Sequence, residues 1–190
     1  MRYPKDHKEQ VRKQLLLDSG SHAKAHGFAA SGVDALAGAA GLTTGSLYKH
    51  FDNKDALFSA LITAELGKTK RRYDGLEAGD YTAMQKILTS YLSMSHVRDA
   101  ASGCPVPSLA AEVARSSDAV KNAFETGVLE LKNAVEDITG SSTVAWALMA
   151  QNVGAVMIAR AMQREATKRE LLAAVRTTGT DLLSAAQSAA

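Results

Sequence analysis

Proline occupies only three of the 190 positions, Pro4, Pro105 and Pro107, and no run of alternating β-branched residues occurs along the chain. Proline breaks a helix interior, and period-two alternation is what a half-buried strand requires. A chain lacking both between its fifth and hundredth residues has helix as its default. The expected fold class is all-α, without internal repeats or low-complexity linkers.

Cap chemistry divides this default into elements. A first helix is expected over residues 8–26, with Val11, Leu15, Leu16 and Ala23 inside and Gly27 as its C′ glycine. "SGVD" follows, with Ser31 as N-cap and Asp34 at capping-box spacing, opening a short helix over residues 31–40. Gly41 makes a turn, Thr43 caps a helix lasting to about Phe51, and Asn53 caps a long one over residues 54–73. Gly75 and Gly79 precede a helix over residues 81–97, and "ASGCPVPSL" is a break before a short helix ending near Arg115. Ser117 opens the next helix, which stops near Gly140, and Ser141 opens one to about Gln163. "TKRE", residues 167–170, is a second capping box opening the last; about nine helices are expected.

Charge is unevenly spread. Net charge is +2, yet residues 1–54 carry eight Lys/Arg against five Asp/Glu and four of the five histidines. A mildly basic front points to an anionic partner there. The lone cysteine, Cys104, forbids an intrachain disulfide and fits a reducing cytoplasm. The opening "MRYPKDHKEQ" is charged and leads into no apolar signal core. Residues 138–159 carry no charge, but Gln151, Asn152, Gly140 and Gly154 make them a poor lipid-facing span, so a buried helix and no membrane association are expected. No cofactor and no metal site is implied.

The short pair of helices at residues 31–40 and 43–51 is the most informative stretch. Two short helices joined at a glycine make a helix-turn-helix. A hairpin that only packs would put large apolar residues at the start of its second helix. "GLTTGSLYKHF" puts Thr43, Thr44, Gly45 and Ser46 there, small enough to let a helix N-terminus approach a duplex and able to bond bases or phosphates. Leu47 and Phe51 anchor the helix, while Tyr48, Lys49 and the following Lys54 suit phosphate oxygens.

Residues 8–62 resemble the DNA-binding domain of the TetR family of transcriptional regulators. The resemblance is carried by "HGF" (residues 26–28), "SGVDALAGAAGLTTGSLYKHF" (31–51) and "NKDALFSAL" (53–61); Asp18, His22 and Ala23 depart from the family pattern. It implies that Thr44, Gly45, Ser46, Tyr48, Lys49, His50 and Lys54 face DNA, and that Ser31 touches a phosphate. Residues 2–8, "RYPKDHK", look like the basic arm that some members lay along the duplex, or are an unattached tail. Residues 1–53 are thus the expected helix-turn-helix domain and residues 54–190 the regulatory one, serving effector binding and dimerisation.

In the second domain, Val144, Leu148, Gln151, Ala155, Ile158 and Met162 recur at helical steps, as do Leu171, Val175, Thr178 and Leu182. Two such helices from each of two chains make a four-helix bundle about a two-fold axis, so a homodimer reading a palindromic operator is expected. Tyr81, Met84, Tyr91, Met94, Phe124, Trp146 and Met149 are candidates for lining a pocket for a small apolar or aromatic effector, though such a stripe also serves as plain core. Cys104, within "SGCP" and ahead of an L-x-x-E-x-A pattern at residues 109–114, resembles a subgroup that includes LmrA/YxaF-like and N-ethylmaleimide-responsive repressors. That resemblance implies an alternative, electrophile or redox sensing through Cys104; the other possibility is a buried structural thiol. An enzyme is not expected: Cys104 and His96, eight apart, are the sole conceivable nucleophile pair, and no third group orients them. The leading reading is a repressor released by a small molecule.

Overall fold

The computed structural model describes residues 5–189, with side chains from Lys8 onward. Ten helices and no strand occur among them: α1 (Lys5–His26), α2 (Val33–Ala39), α3 (Thr44–Leu47), α4 (Lys54–Lys70), α5 (Tyr81–Tyr91), α6 (Met94–Arg98), α7 (Val106–Val113), α8 (Asp118–Thr139), α9 (Ser142–Ala161) and α10 (Glu165–Ala189). The count exceeds the expected nine because the helix over residues 81–97 is two. Leu92 ends α5, and Ser93 starts α6 by accepting a hydrogen bond from the His96 N–H at 3.2 Å.

Local chemistry explains most boundaries. Asn53 Oδ1 accepts from Ala56 N–H at 2.8 Å, Ser141 Oγ from Val144 N–H at 3.3 Å, and Asp80 Oδ1 from Ala83 N–H at 2.9 Å. Each satisfies a helix-start N–H that has no intrahelical partner. Two expected caps do not form. Ser31 is buried and its hydroxyl donates to Gly27 O at 2.6 Å, so α2 starts at Val33 with Gly32 as an N-cap lacking any side-chain bond. Thr167 lies inside α10, which begins two residues earlier at Glu165.

The helices gather into two compact units. One comprises the described residues up to Gly67 together with Ala101–Gly127. Its core is built from Leu15, Leu36, Leu47, Leu57, Phe58 and Leu61, with the Phe28 ring stacked on Phe58 at 3.9 Å. Gly127 lets α8 lie against α4: a Cβ at this position would fall 2.6 Å from Leu66 Cδ1 and 2.9 Å from Leu66 Cβ.

The other unit comprises Lys68–Ala100 and the described residues from Val128 onward. Met84, Leu88, Leu131, Leu148, Val156 and Leu183 fill its interior, and α10 packs chiefly on α9 and α5. Arginines close its helix ends. Arg176 donates to Leu92 O at 3.0 Å, and Arg160 donates to His96 O at 2.9 Å and Val97 O at 3.2 Å. Carbonyls left unpaired at the ends of α5 and α6 are thereby satisfied.

The charge-free helix differs from expectation. α9 is long and apolar enough to cross a membrane by length and composition, yet only 28% of its apolar window is buried. Trp146 (44% exposed), Met157 (40%) and Ile158 (50%) stand on its surface.

Candidate nucleic-acid interface

The second short helix is held from beneath and open above. Thr43 Oγ1 accepts from Ser46 N–H at 3.2 Å, fixing the first turn. Leu47 and Phe51 are buried, whereas Thr43, Gly45 and Lys49 are exposed, as is Tyr48 at 46%. Thr44, Ser46, His50 and Lys54 are half-buried. The α-helix proper covers only Thr44–Leu47; beyond it Lys49 N–H bonds to Ser46 O at 3.2 Å and His50 N–H to Leu47 O at 2.9 Å, a tighter three-residue winding that carries the chain to Phe51. The exposed tip is thus a single capped turn followed by Tyr48 and Lys49.

The hydroxyl of Thr44 is engaged within the protein. It donates to the Asp34 carboxylate, which ties α3 to α2 and fixes the angle of the helix-turn-helix. Asp34 was expected to reach back toward Ser31; this longer-range partner takes its place. Ser31 is likewise committed internally through Gly27 O, and a buried hydroxyl does not front a phosphate in this arrangement. Lys54 Nζ donates to Ser31 O at 2.9 Å and Ala29 O at 3.5 Å and lies 5.0 Å from the Phe28 ring centroid. It tethers the start of α4 to the turn before α2.

α1 supplies two cations, Lys8 from the end of the expected basic arm and Arg12 beyond it. The side chain of His50 is pulled below its ordinary pKa, first by burial and then by the neighbouring positive charges of Lys8, Arg12 and Lys49. Its Nδ1 is buried without a hydrogen-bond partner. The Arg12 guanidinium sits 4.8 Å from the Phe51 ring centroid. Lys8 and Arg12 are four apart on α1, so helical spacing alone puts both on one face; their nearness to His50 is a tertiary fact. Together these groups make a positive rim beside the exposed tip, suited to a polyanion. Residues 2–4 of the expected N-terminal arm lie outside the described residues, and Lys5–Lys8 begin α1.

Residues 23–61 match the family of bacterial regulatory proteins described as the tetR family. The fold is that of the TetR-family regulators. Escherichia coli NemR in its reduced form superimposes with a TM-score of 0.76 at 19% identity, over 90% of this chain and 96% of that one. A TetR-family regulator from Cytophaga hutchinsonii gives 0.74 at 21% identity, over 97% and 98%. The FadR regulator of Bacillus subtilis, solved with stearoyl-CoA, gives 0.65 at 14% identity, over 89% and 96%. No curated protein sequence matches the chain.

The residues expected to bind an effector are shared between the two units. Cys104 and Phe124 belong to the first unit, and Tyr81, Met84, Tyr91, Met94, Trp146 and Met149 to the second. Met84 and Tyr91 are core, Met94 and Met149 are half-buried, and Trp146 faces out. Of this set only Tyr81 borders the open groove of about 620 Å³ between α5 and α10, whose walls include Gln85, Thr89, Ser90 and Ser184.

The expected dimer residues also divide. Leu148 and Ala155 are buried inside the protomer and are unavailable to a partner in this packing. Val144, Gln151, Met162, Leu171, Val175 and Leu182 are half-buried, and Thr178 and Ile158 are exposed. Among the apolar residues of α9, Trp146, Ala150, Met157 and Ile158 are exposed and Val153 is half-buried.

Cys104 is buried, next to Gly103, whose carbonyl accepts from Lys24 Nζ at 3.0 Å. His96, the other half of the conceivable nucleophile pair, belongs to the second unit and has its Nδ1 at 2.7 Å from Tyr91 O.

Proposed function

We propose that this chain is a cytoplasmic, homodimeric, DNA-binding transcriptional regulator that represses by occupying a palindromic operator. The observation that carries this is the exposed tip of Thr43, Gly45, Tyr48 and Lys49, anchored by buried Leu47 and Phe51 and rimmed by Lys8 and Arg12. Cations and Tyr48 take phosphates, while Thr43, Gly45 and Ser46 approach base edges in the major groove. Lys54 and His50 complete the contact surface, and Thr44 and Ser31 act from behind it by fixing α3 and the turn before α2. The chain dimerises through α9 and α10, so that two tips meet two half-sites. A small effector shifts the population toward a conformer whose tips no longer fit. The test is binding, at fixed salt, to duplex DNA from upstream of the chain's own gene: the palindrome binds and a scrambled duplex of equal length does not. Equal binding to both ends the sequence-specific account.

A second reading, control through Cys104, draws support from its place beside the Gly103 carbonyl that holds Lys24 of α1. Cys104→Ser then abolishes release of DNA by electrophiles; retained release makes the thiol structural.

A further inference from the structure

We infer that Glu112 is a positioning residue for the DNA-reading head, gripping the turn by which α1 passes into α2; the inference rests on the DNA-binding reading above. Glu112 stands at the end of α7, and its two carboxylate oxygens divide between consecutive backbone groups far away in sequence. Oε1 accepts from Phe28 N–H at 3.1 Å and Oε2 from Ala29 N–H at 2.6 Å. These N–H groups follow Gly27, whose φ of 85° turns the chain out of α1. A side chain at Gly27 would be strained by that φ, and its Cβ would lie 3.0 Å from Glu112 Oε1.

The same turn is held from its other side by a cation. Lys54 Nζ donates to the carbonyls of Ala29 and Ser31, and the Ser31 hydroxyl closes back on Gly27 O. A carboxylate therefore takes the N–H side and an ammonium the C=O side of one short turn. Ala29 is engaged by both, through the two ends of a single residue. Charge-assisted bonds of this kind fix geometry more firmly than neutral ones. α2 begins four residues after Ala29, and the Thr44–Asp34 bond makes α3 follow α2. Displacing Glu112 thus displaces the reading tip. The segment that bears it also touches α1 at a second point, through Gly103 O and Lys24.

Glutamine separates positioning from mere stability. Glu112→Gln preserves volume but presents one N–H₂ to a backbone N–H, donor against donor, so the turn must shift without any cavity forming. The full-length chain is compared as wild type, Glu112→Gln and the control Glu125→Gln, an exposed glutamate of α8. Equilibrium unfolding, affinity for the upstream duplex, and affinity for duplexes whose half-site spacing differs by single base pairs are measured together. The expected result for Glu112→Gln is a lowered unfolding midpoint in a chain still folded under the assay conditions, and a loss of about tenfold or more at the native spacing, beyond any loss of folded protein. Its preference among spacings should flatten, with Glu125→Gln behaving as wild type. Amide exchange gives the readout that does not depend on DNA: the Phe28 and Ala29 amides exchange faster in Glu112→Gln while Leu15 is unchanged. Glu112→Gln with wild-type affinity and spacing preference, or an affinity loss no larger than its loss of folded protein, overturns the inference. Wild-type protein that does not prefer the upstream duplex to a scrambled one overturns the DNA-binding reading itself, a distinguishable failure.

Discussion

Lys24 and Glu65 form an ion pair with both side chains closed off from solvent, joining α1 to α4. Lys24 also reaches the Gly103 carbonyl, so three separate segments meet at one ammonium. Such a pair adds little stability relative to a well-packed apolar replacement, but removing one member leaves a buried charge without its counter-charge. Lys24→Met alone should cost about 3–5 kcal/mol of folding free energy, and Lys24→Met with Glu65→Leu should recover much of that. Urea unfolding of the single and double variants measures both. A single variant as stable as wild type would mean that water enters this site.

Gly127 sets a second stability test, one where two effects oppose. Alanine is favoured over glycine in a helix interior by about 1 kcal/mol. Here, however, the new Cβ would sit 2.9 Å from Leu66 Cβ, an atom next to the backbone that cannot swing away. Overpacking of that kind costs about 1–3 kcal/mol, so Gly127→Ala should destabilise on balance. Adding Leu66→Ala should remove the 2.6 Å contact with Leu66 Cδ1 but not the one with Cβ, which alanine keeps, so the double variant should recover little and opens a cavity of its own. Thermal unfolding of Gly127→Ala with a raised midpoint would show that α4 and α8 separate easily.

At the tip, Lys49→Ala should weaken binding to operator and scrambled duplexes alike and reduce the slope of log affinity against log salt by about one, because one phosphate contact releases about one counterion. Tyr48→Phe should weaken binding with no change in that slope, since it removes a hydroxyl and no charge. A salt titration of the three proteins on one duplex distinguishes the two roles. An unaltered slope in Lys49→Ala would place this ammonium off the phosphates.

His50 gives a pH test in which two signs differ. Its folded-state pKa is lowered from 6.5 by burial and by Lys8, Arg12 and Lys49. The unfolded chain therefore binds its proton more readily. The associated stability is complete above the unfolded value and is lost as pH falls below it toward the folded value. Bound phosphate reverses the local field and favours the imidazolium, so DNA binding takes up a proton and affinity should rise over the same descent in pH. His50→Gln should flatten both curves, one from thermal melts of the protein alone and one from DNA titrations. Affinity that falls with stability in wild type would separate His50 from the phosphates.

What was legible in the sequence was the chemistry contained within one turn. Thr43, Asn53 and Ser141 cap where their side chains and positions indicate, and Gly27, Gly41 and Gly140 take positive φ at helix ends. Where a local pattern had a distant competitor, the distant partner prevailed. Ser31 and Asp34 have capping-box spacing, yet Gly27 O and the Thr44 hydroxyl hold them. Lys8 and Arg12 beside His50, and Glu112 on the Phe28 and Ala29 amides, join segments that no spacing rule connects. On α9 the difference from the expected face is one of phase. Hydrophobic periodicity locates a buried face only by contrast with a polar one, and this helix is apolar nearly all round. The stripe through Leu148 and Ala155 proved to be the protomer's own core, and Trp146 stands on the other side.

That phase correction yields the last test. Trp146, Met157 and Ile158 are exposed on α9, with half-buried Val153 between them, an apolar strip larger than isolated surface residues need explain. In a two-fold dimer the strip meets its own copy, so one substitution acts twice across the interface. Ile158→Asp should then give a folded monomer, because Ile158 makes little of its own protomer's core, whereas Leu148→Asp should fail to fold. Sedimentation velocity with circular dichroism checks both: the first loses the dimer while keeping its helix, and the second loses helix. Because a monomer carries one tip, Ile158→Asp should also bind a half-site as well as it binds the full palindrome. An Ile158→Asp protein that remains dimeric would move the interface off this face and onto α10, where Leu171, Val175 and Leu182 are half-buried.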